Sequence, residues 1–321
     1  MLCIITEWRK IMNHIKNGNT HQINPKNIGI NSTAEGMALY RVMESEKKVD
    51  ERICCDPYAV FFLSETIRGL LHSNSDQLTR YMEVIDAQYP GLSNSVLART
   101  RFFDDVINQM LNDGLDQFVI IGAGYDSRPL RIERLKKIKT IFELDQKEIQ
   151  CRKRELLSGI SEKVPENHVY ISIDLEKDNF FESLTKQGFD PSLRSLFLME
   201  GVIYYLSPDS VTSVLSGITQ KCGRDCSIIF DYPSRPPQGI MGDHQRSIEK
   251  IREHIQNVGE QFKFIIPGDD VNQFLMNHGF TIDQKLSGSE LKARYFTGIN
   301  SNRIVSPLMS VVLAHVTPDA E

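Results

Sequence analysis

Short apolar runs alternate with amphipathic segments between residues 115 and 233. The apolar runs have the length and composition of strands that are buried on both faces of a sheet. They lie at residues 117–122, 139–145, 168–175 and 226–233, and at the start of 194–206. Segments with helical spacing or helix-start residues separate them. Strands that alternate with helices predict right-handed βαβ units, and therefore an α/β fold with a parallel sheet between layers of helices.

The pattern changes on either side of these strands. Residues 31–114 have helical spacing and predict a helical cap, whereas residues 1–30 are polar and weakly periodic and predict a flexible arm. Residues 234–260 open with a Pro/Gly-rich stretch and predict a lid or insertion after the fifth strand. Residues 261–321 predict closing elements, so that residues 31–321 form a single domain. The closing strands are expected at residues 262–267, 280–286 and 306–316.

Charge and composition narrow the partners and the compartment. The formal net charge is −5 at pH 7, so no overall basic field attracts nucleic acid. No apolar run approaches the roughly 18–20 residues that cross a bilayer, and no membrane partner is expected. The start of the chain lacks signal-peptide features, which predicts a cytoplasmic protein. Cysteines and histidines are dispersed without metal-ligand spacing, so no metal site is expected. These observations indicate no particular oligomeric state.

A glycine-rich turn, GAGYDS, follows the first predicted strand and contains Gly122 and Gly124. A dinucleotide-binding turn would carry a third glycine or an alanine where this chain has Ser127. Asp126 beside it would repel a pyrophosphate by at least about 1 kcal/mol even at high dielectric. The turn therefore favours a ligand with a positive centre or without a phosphate, and a tight turn without any ligand stays open as an alternative.

Acidic residues end the next three predicted strands. Asp145 lies 23 residues after Gly122, where an acid can accept hydrogen bonds from ribose hydroxyls. Glu143 is the other candidate for the ribose, and a helix-capping role for Asp145 also stays open. Asp174 ends the third strand, and Glu200 ends the fourth, where a buried acid needs a cationic partner. Together these groups suit an adenosine joined to a cationic, zwitterionic tail, as in S-adenosyl-L-methionine.

Five motifs together resemble one family of enzymes. They are ARTRFFDD, IGAGYDSRPLR, FELDQ, SIDL and LMEGVIYYL, in that order along the chain. In these motifs the chain is similar to the leucine carboxyl methyltransferase family, also called the PPM family, over about residues 31–232. The resemblance implies a class I methyltransferase fold, which is a Rossmann-like seven-stranded sheet with a reversed hairpin at one edge and an N-terminal helical cap. It also implies S-adenosyl-L-methionine as the cofactor.

The same resemblance assigns roles to individual residues. It implies that Arg99 pairs with the methionine carboxylate through its planar fork. It also implies that the backbone at Gly122 approaches the cofactor, and that Glu200 lies by the methionine amino end. The full set of expected cofactor-binding residues is Arg99, Gly122, Gly124, Asp145, Asp174, Leu175 and Glu200, of which Asp145 would hold the ribose, and Asp174 and Leu175 would flank the adenine.

The acceptor side of the site is less defined by the sequence. His244, in the predicted lid, is a candidate general base or an exposed helix-cap histidine. Tyr125 and Tyr204 would line the acceptor pocket or simply pack at the strand ends. Arg128 and Arg235 would pair with a carboxylate or phosphopantetheine group of a substrate, or remain solvated. The first helix, STAEGMALYR, resembles bacterial family members rather than the eukaryotic ones that methylate a protein phosphatase tail.

We therefore expect an S-adenosyl-L-methionine-dependent O-methyltransferase. Its acceptor would be a carboxylate or hydroxyl on a small-molecule or carrier-bound substrate, such as a polyketide or peptide natural product. A protein C-terminal carboxyl methyltransferase is one alternative, and a noncatalytic cofactor-binding protein of the same fold is another. A nicotinamide dehydrogenase is a third, against which Asp126 and Ser127 argue.

Overall fold

A computed structural model describes residues 33–73, 75–160, 164–234 and 261–317. Its centre is one seven-stranded sheet with the strand order β3-β2-β1-β4-β5-β7-β6. The strands are β1 (Gln117–Ile121), β2 (Thr140–Asp145), β3 (His168–Ser172), β4 (Ser195–Met199), β5 (Cys226–Pro233), β6 (Phe280–Leu286) and β7 (Met309–Val316). Neighbouring strands from β3 to β5 are parallel, and β7 is antiparallel to both β5 and β6. This confirms the predicted sheet with a reversed hairpin at one edge.

Helices precede and separate these strands in the described part of the chain. Before β1 lie α1 (Thr33–Ser45), α2 (Glu65–Ser73), α3 (Ser75–Gln88) and α4 (Leu92–Asn112). Between strands lie α5 (Arg128–Arg131), α6 (Lys147–Leu157), α7 (Phe180–Lys186), α8 (Pro208–Lys221), α9 (Val271–Asn277) and α10 (Gly288–Tyr295). None of these helices is both long and apolar enough to cross a membrane.

Strand alternation divides the core between the two faces of the sheet. All five residues of β1 are buried, as expected for a central parallel strand. Val119 and Ile121 join the cluster that packs under α7 and α8, whereas Phe118 and Ile120 join the cluster that packs under α4. Each face therefore receives its own set of apolar side chains from one continuous run.

The order of the strands creates the place for a ligand. From β1 the chain moves to β2 and β3 on one side, and it then crosses back to place β4 on the other side of β1. The loops that leave β1 and β4 therefore diverge, which opens a crevice at the carboxyl ends of these strands. Gly122 and Glu200, which follow these two strands, stand at this crevice.

Two closing elements differ from the sequence prediction. The strand predicted at residues 262–267 is wrong, because this segment is extended but pairs with no strand in the described sheet. The backbone N–H groups of Lys263 and Phe264 both donate to the Tyr204 carbonyl oxygen instead. Helix α10 was not predicted, although Ser287 and Glu290 form a capping box at its start.

The predicted arm at 1–30 and nearly all of the lid at 234–260 lie outside the described residues.

The capping box predicts a measurable contribution to stability. Ser287 accepts a hydrogen bond from the Glu290 N–H, and the Glu290 carboxylate accepts one from the Ser287 N–H at 2.8 Å. We expect Ser287→Ala to lower the free energy of unfolding by about 1 kcal/mol, as measured by urea denaturation. The matched control is Ser289→Ala in the same exposed first turn, and an equal loss in both variants would contradict the capping role.

Candidate active site

A cleft of about 690 Å³ lies at the carboxyl ends of the strands, beneath α1. Its size is that of a small-molecule site. Among its lining residues are all seven predicted cofactor-binding residues and three predicted acceptor-side residues: Arg99, Gly122, Gly124, Asp145, Asp174, Leu175 and Glu200, together with Tyr125, Tyr204 and Arg128. Two other predicted acceptor-side residues, Arg235 and His244, lie outside the described residues.

The glycine turn leaves no room for a side chain at its first position. Gly122 has a φ of 66°, and a Cβ added there would lie 2.5 Å from a Val202 methyl carbon. The Gly122 N–H donates to the Leu144 carbonyl oxygen at 2.8 Å, which ties the turn to β2. A glycine is therefore required at this position by both backbone conformation and close approach.

Asp145 joins the second strand to the same turn. Its Oδ2 accepts a hydrogen bond from the Gly124 N–H at 2.5 Å, and its Oδ1 accepts one from the Gln146 N–H at 2.7 Å. Burial raises the pKa of Asp145, although these two N–H groups oppose the shift. The carboxylate thus stands at the cleft with its orientation fixed by backbone groups, and ribose hydroxyls would approach its remaining lone pairs.

Glu143, the alternative candidate for the ribose, does not line the cleft. It is fully buried, and its Oε1 accepts a hydrogen bond from Lys153 Nζ at 2.9 Å. His168 Nε2 lies 3.2 Å from the other carboxylate oxygen. Burial alone would raise the pKa of Glu143, but Lys153 and His168 outweigh burial and lower it. Glu143 therefore holds α6 against the sheet, and Asp145 is the acid that reaches the site.

Asp126 is not the free charge that the sequence suggested. Its carboxylate accepts hydrogen bonds from the backbone N–H of Arg128 at 2.7 Å and from Arg128 Nη1 at 2.5 Å. The repulsion expected between Asp126 and a pyrophosphate is therefore weaker than predicted, because a guanidinium already pairs with this acid. Arg128 itself is buried rather than solvated.

Arg99 is held between two acids from adjacent strand ends. Its Nη1 donates to Asp231 Oδ2 at 2.7 Å, and its Nε donates to Glu200 Oε1 at 3.1 Å. Nη2 donates to no group among the residues that the structure describes. Nη1 also donates to Met309 Sδ at 3.9 Å. A ligand carboxylate would therefore meet Nη2 directly, and an end-on bidentate contact would require Nη1 to exchange this sulfur for the ligand.

Glu200 finds its cationic partners within the protein. Besides Arg99 it accepts a hydrogen bond from Thr100 Oγ1 at 3.2 Å, and Arg128 Nη1 lies 2.7 Å from its second oxygen. Burial alone would raise the pKa of Glu200, but the Arg128 and Arg99 guanidinium groups outweigh burial and lower the pKa to about 2. The acid is thus ionised before any ligand arrives, and a ligand ammonium would be an additional partner.

These pairs belong to a larger buried network. Asp104 accepts hydrogen bonds from Arg128 Nε at 2.8 Å and from both Nη atoms of Arg131, and Asp56 accepts one from Arg41 Nε at 2.8 Å. Within the part of the chain that the structure describes, the network consists of four arginines (Arg41, Arg99, Arg128 and Arg131) and five carboxylates (Asp56, Asp104, Asp126, Glu200 and Asp231). Because carboxylates outnumber guanidinium groups, the network suits a ligand with a positive centre.

Five members of this network were not among the site residues predicted from the sequence: Arg41, Asp56, Asp104, Arg131 and Asp231. Arg41 lines the cleft together with Ala34 and Met37, at the i, i+3, i+7 spacing of one helix face, and that spacing was the available signal. The first helix therefore brings a basic residue to the cleft. Asp231 lies near the carboxyl end of the fifth strand, as the other site acids lie at or near the ends of theirs, and this shared position could have identified it.

Two further predicted residues, Asp174 and Tyr125, line the cleft and make ion-pair, hydrogen-bond or stacking contacts with neighbouring residues. Asp174 is paired with Lys177 Nζ at 2.6 Å and accepts a hydrogen bond from the Glu176 N–H. Tyr125 stacks on Phe62 with a ring-centroid distance of 4.9 Å and an interplanar angle of 5°. Both roles predicted for this tyrosine are therefore compatible, because it packs and also faces the cleft.

The fold and the crevice at the strand ends define a class I methyltransferase architecture. A crystal structure described as a "putative methyltransferase" from Thermobifida fusca superposes with a TM-score of 0.54 and 15% sequence identity, covering 73% of this chain and 86% of that one. At this identity the likeness shows the fold alone.

A model of the family described as leucine carboxyl methyltransferase matches residues 34–219, and the chain belongs to this family. The protein is similar to "Putative S-adenosyl-L-methionine-dependent methyltransferase YktD" of Bacillus subtilis, with 24% identity over 76% of this chain and 78% of that protein. It is also similar to "Putative S-adenosyl-L-methionine-dependent methyltransferase FRAAL3836" of Frankia alni, with 28% identity over 83% and 88% of the two chains. The chain is thus an S-adenosyl-L-methionine-dependent methyltransferase.

The residues of the cleft fit this cofactor. The glycine turn allows close approach to the backbone, and an oriented acid stands at the end of β2, where a ribose would be bound. The buried network has an arginine for a carboxylate and an excess of acids for a cation. The adenosyl, carboxylate and cationic groups of this cofactor therefore each have a complementary protein group. That group either lines the cleft or contacts a residue that lines it.

The lowered pKa of Glu200 predicts a pH-dependent contribution to stability. An acid whose pKa is about 2 in the folded protein and near 4.5 when unfolded stabilises the fold above pH 4.5. That contribution, on the order of 3 kcal/mol, is lost as the pH falls toward 2. We expect Glu200→Gln to lower the free energy of urea unfolding at pH 7, and we expect its difference from wild type to narrow from pH 5 toward pH 3.

The exposed acid Glu182 provides the matched control for this measurement. Its ion pair with Lys186 lies at the surface, where such pairs contribute little, so Glu182→Gln should leave stability nearly unchanged at each pH. A constant difference between Glu200→Gln and wild type across this pH range would contradict the assigned ionisation of Glu200.

Proposed function

We propose that this protein is an O-methyltransferase that acts on a carboxylate or hydroxyl of a small-molecule or carrier-bound acceptor. The class of acceptor includes polyketide and peptide natural products. The observation that carries the proposal is the extent of the cleft, which continues from the strand ends to Tyr204, Tyr205 and Lys263 on one side and to Met37 of α1 on the other. An acceptor bound there would lie beside the groups that fit the cofactor.

The ionisation of the cleft favours an acceptor oxygen that is already anionic. Burial and the nearby Asp231 carboxylate raise the pKa of Tyr204 well above its usual range, so this phenol keeps its proton at neutral pH. Glu200 is paired with Arg128 and has a lowered pKa, so it is poorly suited to accept a proton, and Asp126 is occupied by the Arg128 guanidinium. These settings support a carboxylate acceptor, which needs no base at pH 7.

Methyl transfer to a carboxylate needs orientation more than proton transfer. When bound, the cofactor would supply a methyl group on a sulfonium centre, and the acceptor oxygen would take this methyl group in line as the thioether leaves. A C–O bond would form as the S–CH₃ bond breaks, and the acceptor would lose its negative charge without releasing a proton. The protein then has to hold the two reactants in the right orientation. The short hydrogen bonds that fix the Arg99 and Asp145 side chains support this role.

A protein C-terminal carboxylate is the second candidate acceptor. Arg41 lines the cleft from α1, and a guanidinium there would pair with a terminal carboxylate. Its Nε and Nη2 already donate to Asp56 and to the Tyr125 carbonyl oxygen, which leaves Nη1 for such a ligand within the described residues. A noncatalytic cofactor-binding role is the alternative if no acceptor is methylated.

The ribose role of Asp145 gives a direct test of cofactor placement. We expect Asp145→Ala to weaken binding of S-adenosylhomocysteine by about 1–3 kcal/mol in calorimetric titration, because charge-assisted hydrogen bonds to hydroxyls are lost. The exposed Asp113 at the end of α4 supplies the control Asp113→Ala, which should bind normally. Unchanged affinity in Asp145→Ala would remove this acid from the ribose site.

The chemical form of the product tests the proposed reaction. The wild-type protein and the Asp145→Ala variant are incubated with methyl-labelled cofactor and separate small-molecule and protein fractions of a cell extract. We expect label from the wild type in small molecules, with much of it released as methanol by mild alkali, as from a methyl ester. Alkali-stable label on oxygen would indicate a hydroxyl acceptor, and label on protein C-termini would favour the second candidate. Label on nitrogen or carbon, or no transfer, would contradict the proposal.

A further inference from the structure

We propose that Asp231 is a positioning residue for the cofactor's amino-acid tail, which it controls by fixing the Arg99 fork and the Gly201 turn from behind the cleft. This inference rests on the proposed placement of the cofactor in the cleft. Asp231 lies near the carboxyl end of β5, beside β4, and its carboxylate faces the turn that follows β4.

Asp231 makes contacts with two different lining elements. Its Oδ2 accepts a hydrogen bond from Arg99 Nη1 at 2.7 Å, and its Oδ1 accepts one from the Gly201 N–H at 2.6 Å. The Tyr204 hydroxyl lies 3.4 Å from Oδ2. Both oxygens are thus used, and one carboxylate sets the relative position of an arginine from α4 and a turn after β4.

The setting of Asp231 excludes a direct contact with the ligand. The residue is 0% exposed, and it is not among the residues that line the cleft, whereas Arg99 and Gly201 are. Asp231 therefore acts through these neighbours. Without it, Arg99 would still be held at Nε by Glu200, but the guanidinium could rotate about that contact.

The close packing around the Gly201 turn explains why the Arg99 fork should respond to a change at Asp231. Gly201 has a φ of 70°, and a Cβ built on it would lie 3.5 Å from Arg99 Nη1 and 3.4 Å from the Tyr204 hydroxyl oxygen. Arginine, turn and tyrosine are therefore in close packing around one buried carboxylate. A small rotation of the Arg99 fork would change the direction of the N–H groups that face the cleft, and such misplacement weakens recognition strongly.

The experiment compares two ligands that share the adenosyl group. S-Adenosylhomocysteine carries the amino-acid tail, whereas 5′-methylthioadenosine ends in a methyl group at the same sulfur. Calorimetric titration of the wild-type protein with both ligands tests the placement itself. If the wild type binds 5′-methylthioadenosine as tightly as S-adenosylhomocysteine, the tail has no site here and the proposed placement fails before Asp231 is considered.

If the wild-type protein binds S-adenosylhomocysteine more tightly than 5′-methylthioadenosine, Asp231→Asn should reduce this difference in affinity. We expect affinity for S-adenosylhomocysteine to fall about tenfold, while affinity for 5′-methylthioadenosine stays within about twofold. Asp225→Asn, at an exposed position just before β5, is the control and should keep both affinities. An equal loss for both ligands, or no loss for either, would overturn the proposal.

A double-mutant cycle separates positioning from structural damage. If Asp231 acts through Arg99, the variant with both Asp231→Asn and Arg99→Lys should bind S-adenosylhomocysteine no more weakly than Arg99→Lys alone. If the affinity losses of the two single variants add in the double variant, Asp231 does not act through Arg99 and the proposal is overturned. Asp231→Ser is the second variant in case Asp231→Asn does not fold, with the same selective loss expected. Failure of both to fold would make Asp231 a stability residue and would also overturn the proposal.

Discussion

The guanidinium of Arg99, clamped between Glu200 and Asp231, is the interaction on which the rest of the cleft depends. Three charged groups are buried together, and such groups are tolerated only when each has its partners. Arg99 comes from a helix that precedes the sheet, whereas the two acids end adjacent strands. The contact therefore fixes the position of α4 over β4 and β5, and with it one wall of the site. Any ligand that binds here meets charges that the protein has already paired.

The same constraint extends to the elements above the cleft. Arg128 connects Glu200 with Asp126 and Asp104, so the glycine turn, the fourth strand end and α4 share one guanidinium. Arg41 adds α1 through its hydrogen bonds to Asp56 and to the Tyr125 carbonyl oxygen. Removing one member would leave a buried partner without compensation, which is far more costly than removing a surface pair. Helices α1 and α4 are thus held around the cleft by charge as well as by apolar packing.

The sheet could be predicted from the sequence because its strands are continuous apolar runs, and burial on both faces produces that pattern. The segment at 262–267 has the same composition but is held by the Tyr204 carbonyl rather than by a neighbouring strand, a difference that composition does not carry. In the site, Asp145 and Glu200 were predictable because strand ends converge. Asp231 lies at a comparable place near the end of β5, although it was not among the predicted site residues. The partners of Glu200 were not predictable, since they come from segments far apart in the chain and depend on how α4 and α5 pack.

Pre-paired charges also determine how the site can select a ligand. Arg99 is balanced by acids on two of its edges, so its attraction for a ligand carboxylate is smaller than that of an isolated cation. Recognition then depends on the direction of the N–H groups that remain, and these are fixed before binding. Such a site recognises the ligand carboxylate by hydrogen-bond geometry rather than by the net charge of Arg99 and its partners. The excess of carboxylates over guanidinium groups adds a preference for a positive centre, so shape and charge select the same zwitterionic, cationic ligand.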